Sequence, residues 1–246
     1  ATPAVAGVKC RFQSVEQQTA GLVLWAVADF WPVLWGRKLR RPIANSLLMT
    51  IPLAERYAGS LLGLACGDAV GTTVEFRSPG TFTKLTDMIG GGPFDLAPGQ
   101  WTDDTSMALC LAESLLYCKG FDPRDQMARY TNWWRWGYLS ATGECFDIGN
   151  TVQQALRKFE ETGNPYAGSS DSMAAGNGSL MRLAPVVLYY FPVRSAVDHH
   201  CAESRRTTHA APEAIECCRL FGHLLCLALE GCPREAIYQR PMTDLA

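Results

Sequence analysis

The sequence contains no Cys-x-x-Cys pair, although it holds ten cysteines, at positions 10, 66, 110, 118, 145, 201, 217, 218, 226 and 232. Most of these sit inside apolar helical runs, where cysteine behaves as a small buried hydrophobe. Zinc held by thiolates is thereby disfavoured, and a reducing, cytoplasmic compartment is the expectation. Histidine is scarce, four residues in 246, and His199, His200 and His209 lack the i, i+4 spacing of a metal pair on one helix. Charge is scarce too: 19% of residues, with a formal net charge of −2. Such a balance gives no bulk attraction to nucleic acid or to an anionic membrane, so a phosphate-bearing partner must be held locally. No uninterrupted apolar run spans a bilayer either. The tryptophan-rich stretch from Ala20 to Trp35 is broken by Asp29 and Pro32 and falls short of the roughly 20 residues a spanning helix needs. Its basic cluster, Arg37-Lys38-Leu39-Arg40-Arg41, follows the apolar part, the reverse of a secretory signal.

No alternating strand pattern of useful length appears, and every periodic segment is helical. The fold class is therefore all-α, and with 48% hydrophobic residues the chain can bury a sizeable core. Residues 1–48 differ from the rest and read as an N-terminal extension, loosely attached, disordered or an upstream-translation artefact. The working domain is expected to begin at Met49. From Ala54 a helix carries glycines at 59, 63, 67 and 71, a small-residue stripe that lets another backbone approach closely, at roughly 1 kcal/mol of helix propensity per glycine. Asp122-Pro123 predicts an N-cap with proline at the first helical position, opening a helix through Met127, Tyr130, Trp133, Trp134 and Trp136. Further helices are predicted from Thr151, from Pro185 to Phe191 and from Pro212 to Leu229. Residues 77 to 100, with Ser78-Pro79-Gly80, Gly90-Gly91-Gly92-Pro93 and Pro98-Gly99, predict one long loop, of the kind often reserved for function.

That loop delivers the chain to Gln100-Trp101-Thr102-Asp103-Asp104-Thr105. The stripe Met107, Leu111, Leu115 starts just beyond it, so Thr102 and the two aspartates fall at a helix start. There, side-chain oxygens accept from free N–H groups and negative charge meets the positive end of the macrodipole. The run reads either as an over-capped helix or as a cluster of hard oxygens for Mg²⁺, Mn²⁺ or Ca²⁺. Glu75, at the other end of the loop, supplies a third carboxylate. Asp147 stands just ahead of another helix start, with a loop or cap hydrogen bond as its ordinary role. Gly176-Asn177-Gly178-Ser179 precedes a helix and can present backbone N–H groups to a phosphate, with Ser179 and Arg182 as further donors.

Four ordered motifs resemble those of the ADP-ribosylglycohydrolases, the family that includes the dinitrogenase reductase-activating glycohydrolase: Gly67-Asp68-Ala69-Val70-Gly71 with Glu75; Trp101-Thr102-Asp103-Asp104-Thr105; Phe146-Asp147-Ile148-Gly149-Asn150-Thr151; and Gly176-Asn177-Gly178-Ser179-Leu180-Met181-Arg182. The resemblance runs from about Leu53 to about Gly231. It implies a compact orthogonal bundle of helices with a centre of two Mg²⁺ or Mn²⁺ ions. It further implies hydrolysis of the bond between ADP-ribose and a modified protein side chain or a small acceptor. Thr102, Asp103, Asp104 and Glu75 are the implied metal ligands, with Glu75 also near the attacking water. Asp147 is the implied base or ribose contact. Gly176, Asn177, Gly178 and Ser179 are the implied phosphate cradle, with Asn150 and Thr151 beside it. Members of the family also carry a later Asp-x-Asp-Thr motif, and nothing after Arg182 supplies one, so the domain of residues 49–246 is expected to be C-terminally truncated. Two other readings stay open: a metal-free glycosidase using Glu75 and Asp147 as acid and base, and a non-catalytic ADP-ribose-binding or structural relative akin to the lens crystallins.

Overall fold

The computed structural model describes residues 51–239, so the expectation for the 1–48 leader lies outside the described residues. Eight helices follow one another: α1 (Leu53–Gly71), α2 (Asp103–Cys118), α3 (Pro123–Trp136), α4 (Asn150–Thr162), α5 (Ala184–Tyr190), α6 (Arg194–Arg206), α7 (Pro212–Leu229) and α8 (Arg234–Gln239). Among the described residues extended pairing is limited to two isolated bridges, Gly91 with Leu96 and Ser169 with His209. The fold is all-α.

The core forms around α2, which packs on α1, α3 and α5. Met107, Leu111 and Leu115 recur every fourth residue and, with Cys110, are buried. Each such side chain contributes about 1.5–3 kcal/mol by leaving water. Met127, Tyr130 and Trp133 of α3, Val152 and Leu156 of α4, and Val186 and Val187 of α5 complete the same cluster. Pro212 and Leu229 bound α7 as the sequence predicts. Its packing on α6 is close at Gly222, where a Cβ would come within 2.8 Å of Cys201 Sγ. The Asp122 carboxylate caps α3 as predicted, accepting from the N–H groups of Arg124 and Asp125 at 2.8 and 3.1 Å. The aromatic stripe of α3 is only partly core, since Trp136 is 73% exposed and Arg135 lies over the Trp134 ring at 3.7 Å. The cysteines among the described residues are free thiols, with Cys66 and Cys217 exposed. No helix of the described residues is long and apolar enough to cross a membrane.

Two expectations change. Gly59, Gly63, Gly67 and Gly71 are exposed, and a Cβ on any of them would meet nothing within 4 Å; among the described residues no backbone approaches the stripe. The 77–100 segment also has internal order, because Gly92–Phe94 form a turn of 3₁₀ helix clamped by paired hydrogen bonds between Gly91 and Leu96 at 2.7 and 3.0 Å.

Candidate active site

The site begins where the end of α1 meets the start of α2. Thr102 is the N-cap residue of α2, but its side chain makes no cap hydrogen bond. Asp68 of α1 does that work from 34 positions away. Its two carboxylate oxygens accept from the Thr102 N–H at 3.1 Å and from the Thr102 hydroxyl at 2.9 Å. They also accept from the Thr105 N–H at 3.1 Å and from the Thr105 hydroxyl at 2.6 Å. One carboxylate thus satisfies two free helix N–H groups, a task usually done by a local side chain. Asp103 and Asp104 are thereby released from capping and turned toward a cavity.

That cavity, of about 240 Å³, is lined by Glu75, Asp103, Asp104, Asp147, Asn150, Thr151, Gly176, Asn177 and Gly178, with His209 among its further walls. Four carboxylates from three separate parts of the chain face it. Their mutual repulsion and partial burial raise the proton affinity of each. Asp147 is pushed up to about 7 by burial and then by Glu75, Asp104 and Asp68. Burial followed by Asp68 raises Glu75, against a hydrogen bond from Thr72 that lowers it. The adjacent Asp103 and Asp104 are both raised, chiefly by burial, and Asp103 is the more strongly held. Asp147 is no cap: α4 starts from Gly149 without a side-chain cap, and Asp147 itself sits at φ 57°, a left-handed conformation uncommon outside glycine.

The opposite wall is the Gly176–Gly178 turn against His209. A Cβ on Gly178 would fall 3.1 Å from His209 Cε1 and 3.2 Å from Val152 Cγ2, so only glycine fits without displacement. His209 is 2% exposed, and burial together with Arg182 and Arg205 lowers its pKa to about 3, leaving the ring neutral. Arg182 Nη2 donates to Thr208 Oγ1 at 2.7 Å, and Thr208 Oγ1 lies 2.8 Å from His209 Nδ1. The Thr208 hydroxyl thus links the buried guanidinium to the His209 ring.

Two residues expected at the site stand elsewhere, and a third adjoins it. Ser179 is 2% exposed and off the cavity wall; its Oγ accepts from Arg205 Nε at 3.1 Å, which draws the hydroxyl into the core. Arg182 is fully buried with its guanidinium 4.5 Å from the centre of the Tyr130 ring, so it supports His209 from behind and faces no phosphate. Thr102, 3% exposed, is not on the cavity wall itself; its hydroxyl lies 2.9 Å from Asp68 Oδ1 and 3.4 Å from Asp103 Oδ1. Conversely, Asp68 and His209 are parts of the site whose place no sequence pattern reveals. Asp68 lies in the Gly67–Gly71 motif, but its partners are 34 and 37 positions away. In the sequence His209 is notable only for lacking the spacing of a metal pair.

The donor set suits a hard divalent cation chemically: carboxylates that raise one another's pKa are relieved by positive charge. A preassembled three-ligand cluster is not present, for among the described residues no three His, Cys, Asp or Glu side chains are grouped to share an ion.

An all-helical domain with a polyanionic cavity facing a glycine turn defines the class. Residues 49–246 match the family model described as ADP-ribosylglycohydrolase, and the chain belongs to that family. It is 45% identical over 181 residues to the ADP-ribosylarginine hydrolase Tri1 of Pseudomonas putida (strain GB-1), covering 74% of this chain and 48% of that protein. It is 33% identical over 175 residues to the ADP-ribosyl-[dinitrogen reductase] glycohydrolase of Rhodospirillum rubrum, covering 70% of this chain and 57% of that one. A solved structure titled ADP-ribosylglycohydrolase-related protein complex superimposes with a TM-score of 0.65 at 47% identity, covering 75% of this chain and 60% of the other. The chain thus spans about half the length of the curated relatives it matches.

Proposed function

We propose that this domain belongs to a hydrolase that releases ADP-ribose from ADP-ribosylated arginine side chains of proteins. The observation that carries the reading is the meeting of Glu75, Asp103, Asp104 and Asp147 with the Gly176–Gly178 turn around one cavity. The relatives named as ADP-ribosylarginine hydrolases support arginine as the acceptor.

The backbone N–H groups of the Gly176–Gly178 turn, beside the neutral His209 ring, offer donors to diphosphate or ribose oxygens without adding charge. Asn150 and Thr151 open α4 beside them, where free helix N–H groups favour an anion. Asp147, whose proton affinity is raised by burial and then by Glu75, is a carboxylate placed to accept and return a proton. It takes the proton of a water whose oxygen attacks the anomeric carbon of the ribose. The bond from that carbon to the guanidine nitrogen breaks, and the guanidine leaves with the electron pair and is protonated. Glu75, across the cavity, is the second carboxylate able to orient that water. Asp103, Asp104 and Glu75, with the Thr102 hydroxyl beside Asp103, are the residues that would hold two Mg²⁺ or Mn²⁺ ions. When bound, such ions neutralise the carboxylates and polarise ligand oxygens.

The test is release of ADP-ribose from an ADP-ribosylarginine protein by the chain with Mg²⁺ or Mn²⁺, with and without EDTA. Release that stops with EDTA supports the reading. Release that survives EDTA reassigns the chemistry to Glu75 and Asp147 alone, and ADP-ribose binding without release makes the domain a binding module.

A further inference from the structure

Glu75 and Asp147 are each next in sequence to a phenylalanine, and a third ring joins the two. Phe94 meets Phe76 edge-on, with centroids 6.3 Å apart and planes at 73°. It meets Phe146 at 5.3 Å and 58°. Both geometries lie in the range favoured by aromatic quadrupoles. The segment carrying Phe94 is fixed to the turn that bears Glu75. Gly92, at φ 73°, lies so close that a Cβ there would come within 2.4 Å of the Thr72 carbonyl oxygen. Thr73 Oγ1 donates to the Gly90 carbonyl at 3.1 Å, and Thr72 Oγ1 donates to Glu75 itself at 3.4 Å. The Gly91–Leu96 hydrogen bonds close the segment on itself. On the far side, the 144–149 loop has no helix of its own, and Asp147 is held there in a left-handed conformation.

We infer that Phe94 is a positioning residue, the tie that fixes the Asp147 loop to the Glu75 turn and so sets the distance between the two carboxylates across the cavity. Phe94 is not among the residues that line the cavity; it acts through the rings and backbones next to the two carboxylates. Phe76, 79% exposed, is the outer end of the row, and Phe146 the inner end. Truncating the middle ring separates the loops without removing any charged or polar group.

The test compares full-chain wild type with Phe94→Ala and Phe94→Tyr. Hydrogen exchange followed by mass spectrometry reports the tie whatever the catalytic status of the chain. In Phe94→Ala, peptides covering 73–78 and 144–149 lose protection together by about tenfold, while α2 and α5 peptides keep theirs. Phe94→Tyr, which keeps the ring, keeps the protection. A change confined to 90–96, or none, overturns the tie. Loss of protection throughout α2 and α5 also overturns it, since Phe94 would then be general scaffold. Only the kinetic arm rests on the hydrolase reading. There Phe94→Ala lowers kcat by on the order of tenfold with KM within about twofold, since small misplacements of reacting groups act on the chemical step. Added to Asp147→Asn, it lowers kcat by less than about twofold, because the group it positions is already gone. An equal loss in both backgrounds overturns the positioning role. A wild type that releases no ADP-ribose defeats the proposed function and leaves the exchange result to decide the tie.

Discussion

Replacing Asp68 by alanine tests how the site is built. The substitution removes the acceptor for two N–H groups and two hydroxyls on Thr102 and Thr105, residues only 3% and 4% exposed. The hydroxyls can rotate toward other acceptors, but the N–H groups cannot. Leaving each buried donor unsatisfied costs about 1–3 kcal/mol, and the same two groups carry the whole capping contribution of α2. Against this, removing one negative charge relieves Asp103, Asp104, Glu75 and Asp147, all of which Asp68 raises. A net loss of about 2–4 kcal/mol follows, or a fall in Tm of about 5–15 °C for a domain of this size. Asp68→Asn keeps one acceptor oxygen while removing the charge, and loses about half as much. Urea unfolding followed by circular dichroism, in EDTA so that metal does not enter, measures both. An alanine variant within about 0.5 kcal/mol of wild type, the range of an ordinary surface change, would refute the capping role.

Asp103→Asn or Asp104→Asn abolishes divalent-dependent release of ADP-ribose, and undiminished turnover in either would remove their metal role. Without metal, the folded domain holds protons on Asp147 up to about pH 7, whereas an unfolded aspartate releases its proton near pH 4. The folded state therefore binds more protons between those values, so stability falls as pH rises from about 4 to 7. Denaturation midpoints across that range in EDTA check the sign, and Mg²⁺ or Mn²⁺ flattens the decline. Gly178→Ala drives a methyl into His209 and Val152 and weakens ADP-ribose affinity by about tenfold, roughly 1.4 kcal/mol; calorimetric titration reads it. Ser179→Ala, by contrast, lowers the unfolding midpoint and leaves that affinity unchanged, because its hydroxyl serves Arg205.

The fold was legible where the information is local. Proline at the first helical position and an apolar period bounded α7 at Pro212 and Leu229, and Asp122-Pro123 announced the cap of α3. The acidic residues were legible as well, because Asp103 and Asp104 adjoin at a helix start and Glu75 stands at the other end of the same loop. What could not be read was direction. Thr102 looks like a cap in sequence, yet its hydroxyl turns to an aspartate on another helix. Ser179 and Arg182 follow a glycine turn as phosphate ligands would, yet a neighbouring arginine and a tyrosine ring draw them inward. His209 became visible as a wall of the cavity only once α6 and α7 brought its turn beneath Gly178. The four-residue glycine spacing of α1 likewise carries no record of what approaches it.

The central claim is that separate stretches of chain bring their carboxylates to one divalent site. Manganese titration followed by electron paramagnetic resonance tests it without reference to turnover. Wild type should remove free Mn²⁺ from solution with Mg²⁺ competing, and Asp104→Asn should bind at least about tenfold more weakly. A wild-type chain that leaves the free Mn²⁺ signal unchanged, or an Asp104→Asn variant that binds as well as wild type, would contradict it.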